Sequence, residues 1–266
     1  MSLYVGMNGS GKTIASVFPG PGLILDFDGR VAPVRHFYPN RDDIEYWTIG
    51  LDGDTRKDVI GFTEAIHKIE DLQDRCPYDW VTIDSYTSYS TVAVLHQMGM
   101  HSNDVKRTKG GLPIPDWDEY KGETGVMLQI LEILKILPAH VTVTAHPIQA
   151  AKTTKQGGST NDVLASMVKG SSLASYGWKT PSLLPNYFNE MYYFFTEVSG
   201  QVAQGVTRKV QTVSAGEIVA KTALPLPAVM DITGLPLFGV IQAHVKKYQV
   251  NLDLKREEAE KLAAKV

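Results

Sequence analysis

Cysteine is almost missing from this chain. Cys76 is the single cysteine among 266 residues, which excludes an internal disulfide and a cysteine-built metal centre and suits a reducing compartment. Long apolar runs are missing as well. No stretch approaches the roughly 18 residues of a membrane-spanning helix, and the opening dozen residues lack the basic-then-apolar order of a secretory signal. The expected setting is therefore cytoplasmic, with no membrane partner. Neither sign of charge dominates: 26 Lys and Arg stand against 29 Asp and Glu, for a net charge of −3. The molecule as a whole does not attract nucleic acid, so any nucleic-acid site must be a local patch. No internal repeat is visible.

What is present is an ordinary globular composition, 43% hydrophobic and 21% charged, long enough to bury a substantial core. Residues 3–5 (LYV) read as a short strand, and TIASVF as a short helix stopped by PGPG at 19–22. GLILDFDG reads as a buried strand ending in acids. Residues 61–75 place Phe62, Ala65, Ile66, Ile69 and Leu72 on one helical face. WVTIDS (80–85), HVTVTAH (140–146) and NEMYYFFTE (189–197) are further buried strands, with an apolar helix over 123–137 stopped by Pro138. Strands alternating with helices predict a mostly parallel sheet covered on both faces. After residue 197, VTRKVQTV and EIVAKTALPL alternate around SAG and predict an antiparallel hairpin over about 200–227. LDLKREEAEKLAAKV reads as a charged helix, either solvated or docking a partner. Residues 99–122 and 147–172 show no clear element, and loops of that length are functional or disordered.

The segment 6–13, GMNGSGKT, carries the chemistry. Gly6-x-x-x-x-Gly11-Lys12-Thr13 after a strand and before a helix fits a phosphate-binding loop. Glycines let the backbone turn its N–H groups inward as an anion cradle. Gly6, Asn8, Gly9, Ser10, Gly11, Lys12, Thr13 and Ile14 would hold the nucleotide. Lys12 would reach the β- and γ-phosphates, and the Thr13 hydroxyl would meet Mg²⁺. Asp84, an acid at the tip of a buried strand, would orient the Mg²⁺ shell through a water, or else simply cap the following helix. Hydrolysis also needs a group that orients or deprotonates a water. Asp28 is the candidate, with Asp26 supporting it, although both acids also suit a turn beside Gly29. His146, at the next strand tip, is placed to sense the γ-phosphate, unless it is merely packed.

These pieces in this order resemble the RecA-like ATPase core. ILDFDGRVAPV is similar to the segment that carries that family's catalytic acid, VTIDS to its Walker B strand, and TAHPI to the strand end bearing its polar sensor. The combination is most similar to phage-encoded AAA-type ATPases that include RecA-like single-strand annealing proteins. The resemblance implies one α/β RecA-like P-loop NTPase domain over 1–240 with a charged helical tail over 241–266. It further implies ATP and Mg²⁺ as cofactors and a ring or filament in the host cytoplasm. VAKTALPLP resembles the segment from which a neighbouring subunit donates a lysine, here Lys221. Arg208 and Lys209 are weaker candidates, and Lys221 also suits an edge strand that must resist aggregation.

The partners the resemblance implies are single-stranded DNA and a single-strand binding protein. The DNA would be held by Lys106, Arg107 and Lys109 in the first long loop and by Lys152, Lys155 and Lys169 in the second. Residues 147–172 hold three lysines and one aspartate, net +2, which is only mildly basic. Two readings follow: an ATP-hydrolysing protein that binds single strands and promotes annealing or recombination, and a nucleotide-switched assembly or motor ATPase of packaging or replication with a protein partner. A small-molecule kinase is a weaker third, since such lids carry several arginines and arginine is scarce after residue 107.

Overall fold

Apolar side chains alternate through the strands and fill both faces of one sheet. In β1 (Ser2–Gly6) Leu3 and Val5 face one core cluster and Tyr4 another, and in β2 (Gly22–Asp26) Leu23 and Leu25 oppose Ile24. The computed structural model describes residues 1–49, 55–100, 117–147, 184–198, 206–215 and 218–263. Its remaining strands are β3 (Ile44–Thr48), β4 (Trp80–Asp84), β5 (His140–Ala145), β6 (Glu190–Val198), β7 (Val206–Gln211) and β8 (Val229–Asp231). They form an eight-stranded sheet in the order β3-β2-β4-β5-β1-β6-β7-β8. The strands from β3 to β6 pair in parallel, and β7 and β8 add antiparallel neighbours. The α/β class, the mostly parallel sheet and its antiparallel extension match the expectation.

Helices α1 (Lys12–Ala15), α2 (Ala32–Phe37), α3 (Thr55–Asp74), α4 (Tyr86–Met100), α5 (Trp117–Ile136) and α6 (Leu237–Ala263) supply the layers. One layer is α3, α4 and α5, which bury Phe62, Ile69, Tyr89, Ala93, Met127 and Ile130 against Leu3, Leu25, Ile83 and Val143. Each fully buried Leu, Ile, Val, Phe or Met side chain among them contributes about 1.5–3 kcal/mol relative to exposure. The other face is covered by Ala15, Val34 and the start of α6, where Leu237 is buried and Phe238 packs near Trp80.

Five expectations need correction. The helix after the glycine-rich loop is a single turn ending at Ala15. Helix α4 was not anticipated, because YTSYSTVAVL is rich in β-branched and hydroxyl residues; burial between α3 and α5 overrides that low propensity. Helix α5 begins at Trp117, inside the segment read as a loop. In the extension, β7 pairs with 229–231 rather than with 217–226. Pro225 and Pro227 lack the N–H that a ladder needs, and 218–224 contributes only isolated bridges, Met191–Lys221 and Ala215–Ile218. The charged C-terminal helix, read from LDLKREEAEKLAAKV, starts earlier, at Leu237.

Candidate active site

Register brings the polar strand ends into one row at the carboxyl edge. Asp26 lies opposite Asp84 in the β2–β4 pairing. Asp84 is one residue past the Ile83–Val143 pair and so comes beside Thr144, which in turn lies opposite Tyr4 of β1. In open α/β sheets this edge is where ligands bind.

The loop from Gly6 to Gly11 closes on itself, the Ser10 hydroxyl donating to the Met7 carbonyl at 2.7 Å. Its glycines serve different ends. A Cβ on Gly6 would lie 2.4 Å from the Phe194 carbonyl oxygen, so this position is dictated by the close approach of β6. Gly11 has φ of +95°, a conformation side chains rarely adopt. Lys12 is buried, and its Nζ donates to the carbonyls of Gly6 at 2.7 Å and Met7 at 3.0 Å. Burial lowers its pKa to about 8, against the opposing pull of Asp84 and Asp28.

Beside it, the Thr13 hydroxyl donates to Asp84 Oδ2 at 2.8 Å, while Thr144 donates to the other oxygen. Burial pushes the Asp84 carboxyl up despite these hydroxyls, and the negative charges of Asp28 and Asp26 push the same way. A hydroxyl and a carboxylate at one mouth are hard oxygen donors of the kind Mg²⁺ takes. Among the described residues no cluster of three His, Cys, Asp or Glu side chains forms a cage for a metal.

Asp26 and Asp28 part company because β2 ends at Asp26. Asp26 is fully buried, and its Oδ1 accepts the backbone N–H groups of Asp28 at 3.1 Å and Arg30 at 3.2 Å. It thus holds the turn that aims Asp28. Burial alone would raise the Asp28 carboxyl, but hydrogen bonds from His146, Ser88 and Ser85 outweigh it and hold it at about 2. The Ser85 bond is 2.8 Å, and His146 Nε2 lies 3.5 Å from Oδ2. His146 Nδ1 lies 3.5 Å from Lys12 Nζ and 3.3 Å from the Gly6 carbonyl, so the imidazole spans the gap between lysine and acid. The backbone N–H of His146 is anchored on Thr87 Oγ1 at 3.1 Å.

Two cavities meet here. One, about 250 Å³, is lined by Asn8, Gly9, Gly11, Lys12, Thr13 and Ile14 together with Asp28, Asp84 and His146. The other, about 390 Å³, lies on the far side of Asp28 and His146, against Phe27, Ser88, Thr91 and Val92. Every expected nucleotide residue from Asn8 to Ile14 thus lines the first cavity, except Ser10, which is buried. Lys221 is elsewhere. It is exposed, its Nζ donates to the Pro185 carbonyl at 2.9 Å, and its backbone pairs with Met191, whose partner on β1 is Leu3. Lys106, Arg107, Lys109, Lys152, Lys155 and Lys169 lie outside the described residues.

Sequence reasoning missed a third, apolar cavity of about 130 Å³ continuing from Gly11 and Ile14. Phe37, Tyr38, Ile232, Leu235 and Pro236 line it, and Arg208 stands between it and the 250 Å³ cavity. One signal was readable: in VTRKV, Arg208 shares the apolar phase of the strand with Val206 and Val210.

No family model matches this chain, and no curated protein matches it. Among solved structures, a prototypical ATPase from the type III secretion system of pathogenic bacteria is similar, with a TM-score of 0.41 and 10% identity over 73% of this chain. The match takes in 51% of that protein's chain, so this chain spans about half its length.

Proposed function

We propose that this chain is a Mg²⁺-dependent ATPase with a RecA-like phosphate-loop core. The observation that carries the reading is the 2.8 Å bond from Thr13 to Asp84, which ties the glycine-rich loop to the acid of a neighbouring strand with Lys12 alongside. The triphosphate would lie in the 250 Å³ cavity, with Lys12 toward the β- and γ-phosphates and its base toward the apolar cavity. Thr13 and Asp84 would hold Mg²⁺, which neutralises charge developing on the phosphates when bound. Asp28 is the water-positioning acid. Held at about 2, it is too weak a base to take a proton efficiently near neutral pH, so its contribution is orientation of the nucleophile. His146, joined to both Asp28 and Lys12, is the residue that would feel the γ-phosphate.

Equilibrium binding of ATP with Mg²⁺ tests the core of this proposal. The wild-type chain is expected to bind, and Lys12→Ala to weaken binding by about 100-fold or more, as loss of a charge-assisted phosphate contact entails. Absence of ATP binding by the wild type would refute it.

Single-stranded DNA as activator, and assembly into a ring or filament, belong to the same proposal and rest on the resemblance of the motifs. Salt-sensitive stimulation of hydrolysis by single strands is the expected result. Indifference to DNA would favour the protein-partnered assembly or motor ATPase.

A further inference from the structure

We infer that Arg208 is a nucleotide-binding residue of its own chain, gripping the α- and β-phosphates opposite Lys12; the inference rests on the ATPase reading above. Arg208 sits on β7, and its backbone is fixed on both sides. Its N–H donates to Thr233 Oγ1 at 2.8 Å, and its carbonyl accepts from the Ile232 N–H at 2.9 Å. The side chain then extends over the glycine-rich loop. A Cβ built on Gly11 would meet Arg208 Cδ at 3.1 Å and Nε at 3.5 Å. Gly11 is therefore glycine for two reasons, its positive φ and the arginine lying across it.

Among the described residues nothing neutralises the guanidinium. Its Nε is buried without a hydrogen-bond partner, and among the described residues no carboxylate forms an ion pair with it. A buried donor left unpaired costs about 1–3 kcal/mol, a cost that an anionic ligand would remove. Lys209, by contrast, is matched to Glu197 on the opposite face of the strand.

Position selects the phosphates. Arg208 lines both the phosphate-loop cavity and the apolar cavity, as do Gly11 and Ile14. In a phosphate loop the backbone at this end cradles the α- and β-phosphates, while the lysine serves β and γ. A planar guanidinium at the junction meets the phosphate chain where it leaves the nucleoside, and its fork suits two phosphate oxygens at once. This reverses the expectation that Arg208 serves a neighbour's site.

Affinities for ATP and ADP, measured by titration calorimetry on wild type, Arg208→Ala and Arg208→Lys, test the assignment. The expected result is a loss of about 10- to 100-fold in Arg208→Ala that is equal for ATP and ADP within a factor of three. Arg208→Lys should fall between, and Lys12→Ala should weaken ATP more than ADP. Thermal melts of the variants are expected to match wild type. Wild-type binding with less than a twofold change in Arg208→Ala overturns this assignment alone, as does a loss confined to ATP. Failure of the wild type to bind either nucleotide overturns the ATPase reading with it. A final arm separates own-chain from neighbour action: mixing Arg208→Ala with Lys12→Ala chains should not restore hydrolysis, and restoration would overturn the assignment.

Discussion

The two acids at neighbouring strand ends experience opposite surroundings within one crevice. Asp84 is 2% exposed, receives two hydroxyls, and is pushed toward the neutral form by burial. Asp28 stands a few residues from its own strand, bonded by Ser85, Ser88 and His146, and is held ionised. On the proposed ATPase reading, the difference implies a division of labour. A carboxylate kept out of water beside two other acids gains most from an arriving cation. A carboxylate already satisfied by hydroxyls and an imidazole gains little from one, and is free to hold a water in a fixed orientation.

The largest effect that would break this comparison is on turnover. Asp28→Asn should leave ATP affinity within about threefold of wild type and lower kcat by about 100- to 1,000-fold, in the range a positioned acid–base group contributes. Steady-state hydrolysis with parallel binding measurements checks it. Normal turnover in Asp28→Asn would remove Asp28 from the reaction and leave Asp84 as the sole acid that matters.

How far the sequence foretold this crevice depends on whether a contact is local. Spacing alone located the loop, Lys12, Thr13 and Asp84, because each lies at a strand end that apolar runs mark plainly. The sheet's parallel half followed from the same runs. Less was visible where tertiary pairing decides. GLILDFDG reads as one buried strand ending in acids, but the strand stops at Asp26 and the second acid comes beside His146. The partner of β7 was misread because 229–231 is three residues long and carries little pattern. Arg208 and the apolar cavity come from β7 and the approach to α6, more than 190 residues from the loop they meet. No window of sequence contains that encounter.

A mid-sized effect concerns Lys12 and separates its chemistry from that of the acids. Its pKa of about 8 means that the free site loses its ammonium as pH rises past 8, whereas a bound triphosphate would keep the lysine charged. Binding above pH 8 must therefore take up a proton, and affinity should fall by about tenfold between pH 7.5 and 9. Calorimetry at pH 8.5 in two buffers of different ionisation enthalpy should register uptake of most of one proton. A pH-independent affinity with no proton uptake would mean that the buried ammonium does not change its environment when nucleotide arrives.

The smallest effect isolates the bond from His146 to Asp28. The folded-state pKa of about 2 lies below the unfolded value of about 3.9. Asp28 therefore contributes stability that is fully present above the unfolded value and is lost as pH falls through the folded one. With the side chain 12% exposed, that contribution is on the order of 1–2 kcal/mol. Removing the imidazole in His146→Ala takes away the strongest of the bonds that lower this carboxyl, so its pKa should climb back toward the ordinary value. Denaturant unfolding between pH 5 and pH 2.5 should show the variant losing less stability than wild type, because the gap between its folded and unfolded values has narrowed, with the two curves running parallel above pH 5. Asp28→Asn, which has no carboxyl to titrate there, should lack this component in both backgrounds. Curves that stay parallel down to pH 2.5 would mean that Ser85 and Ser88 alone hold the acid down, and that His146 answers to Lys12 rather than to Asp28.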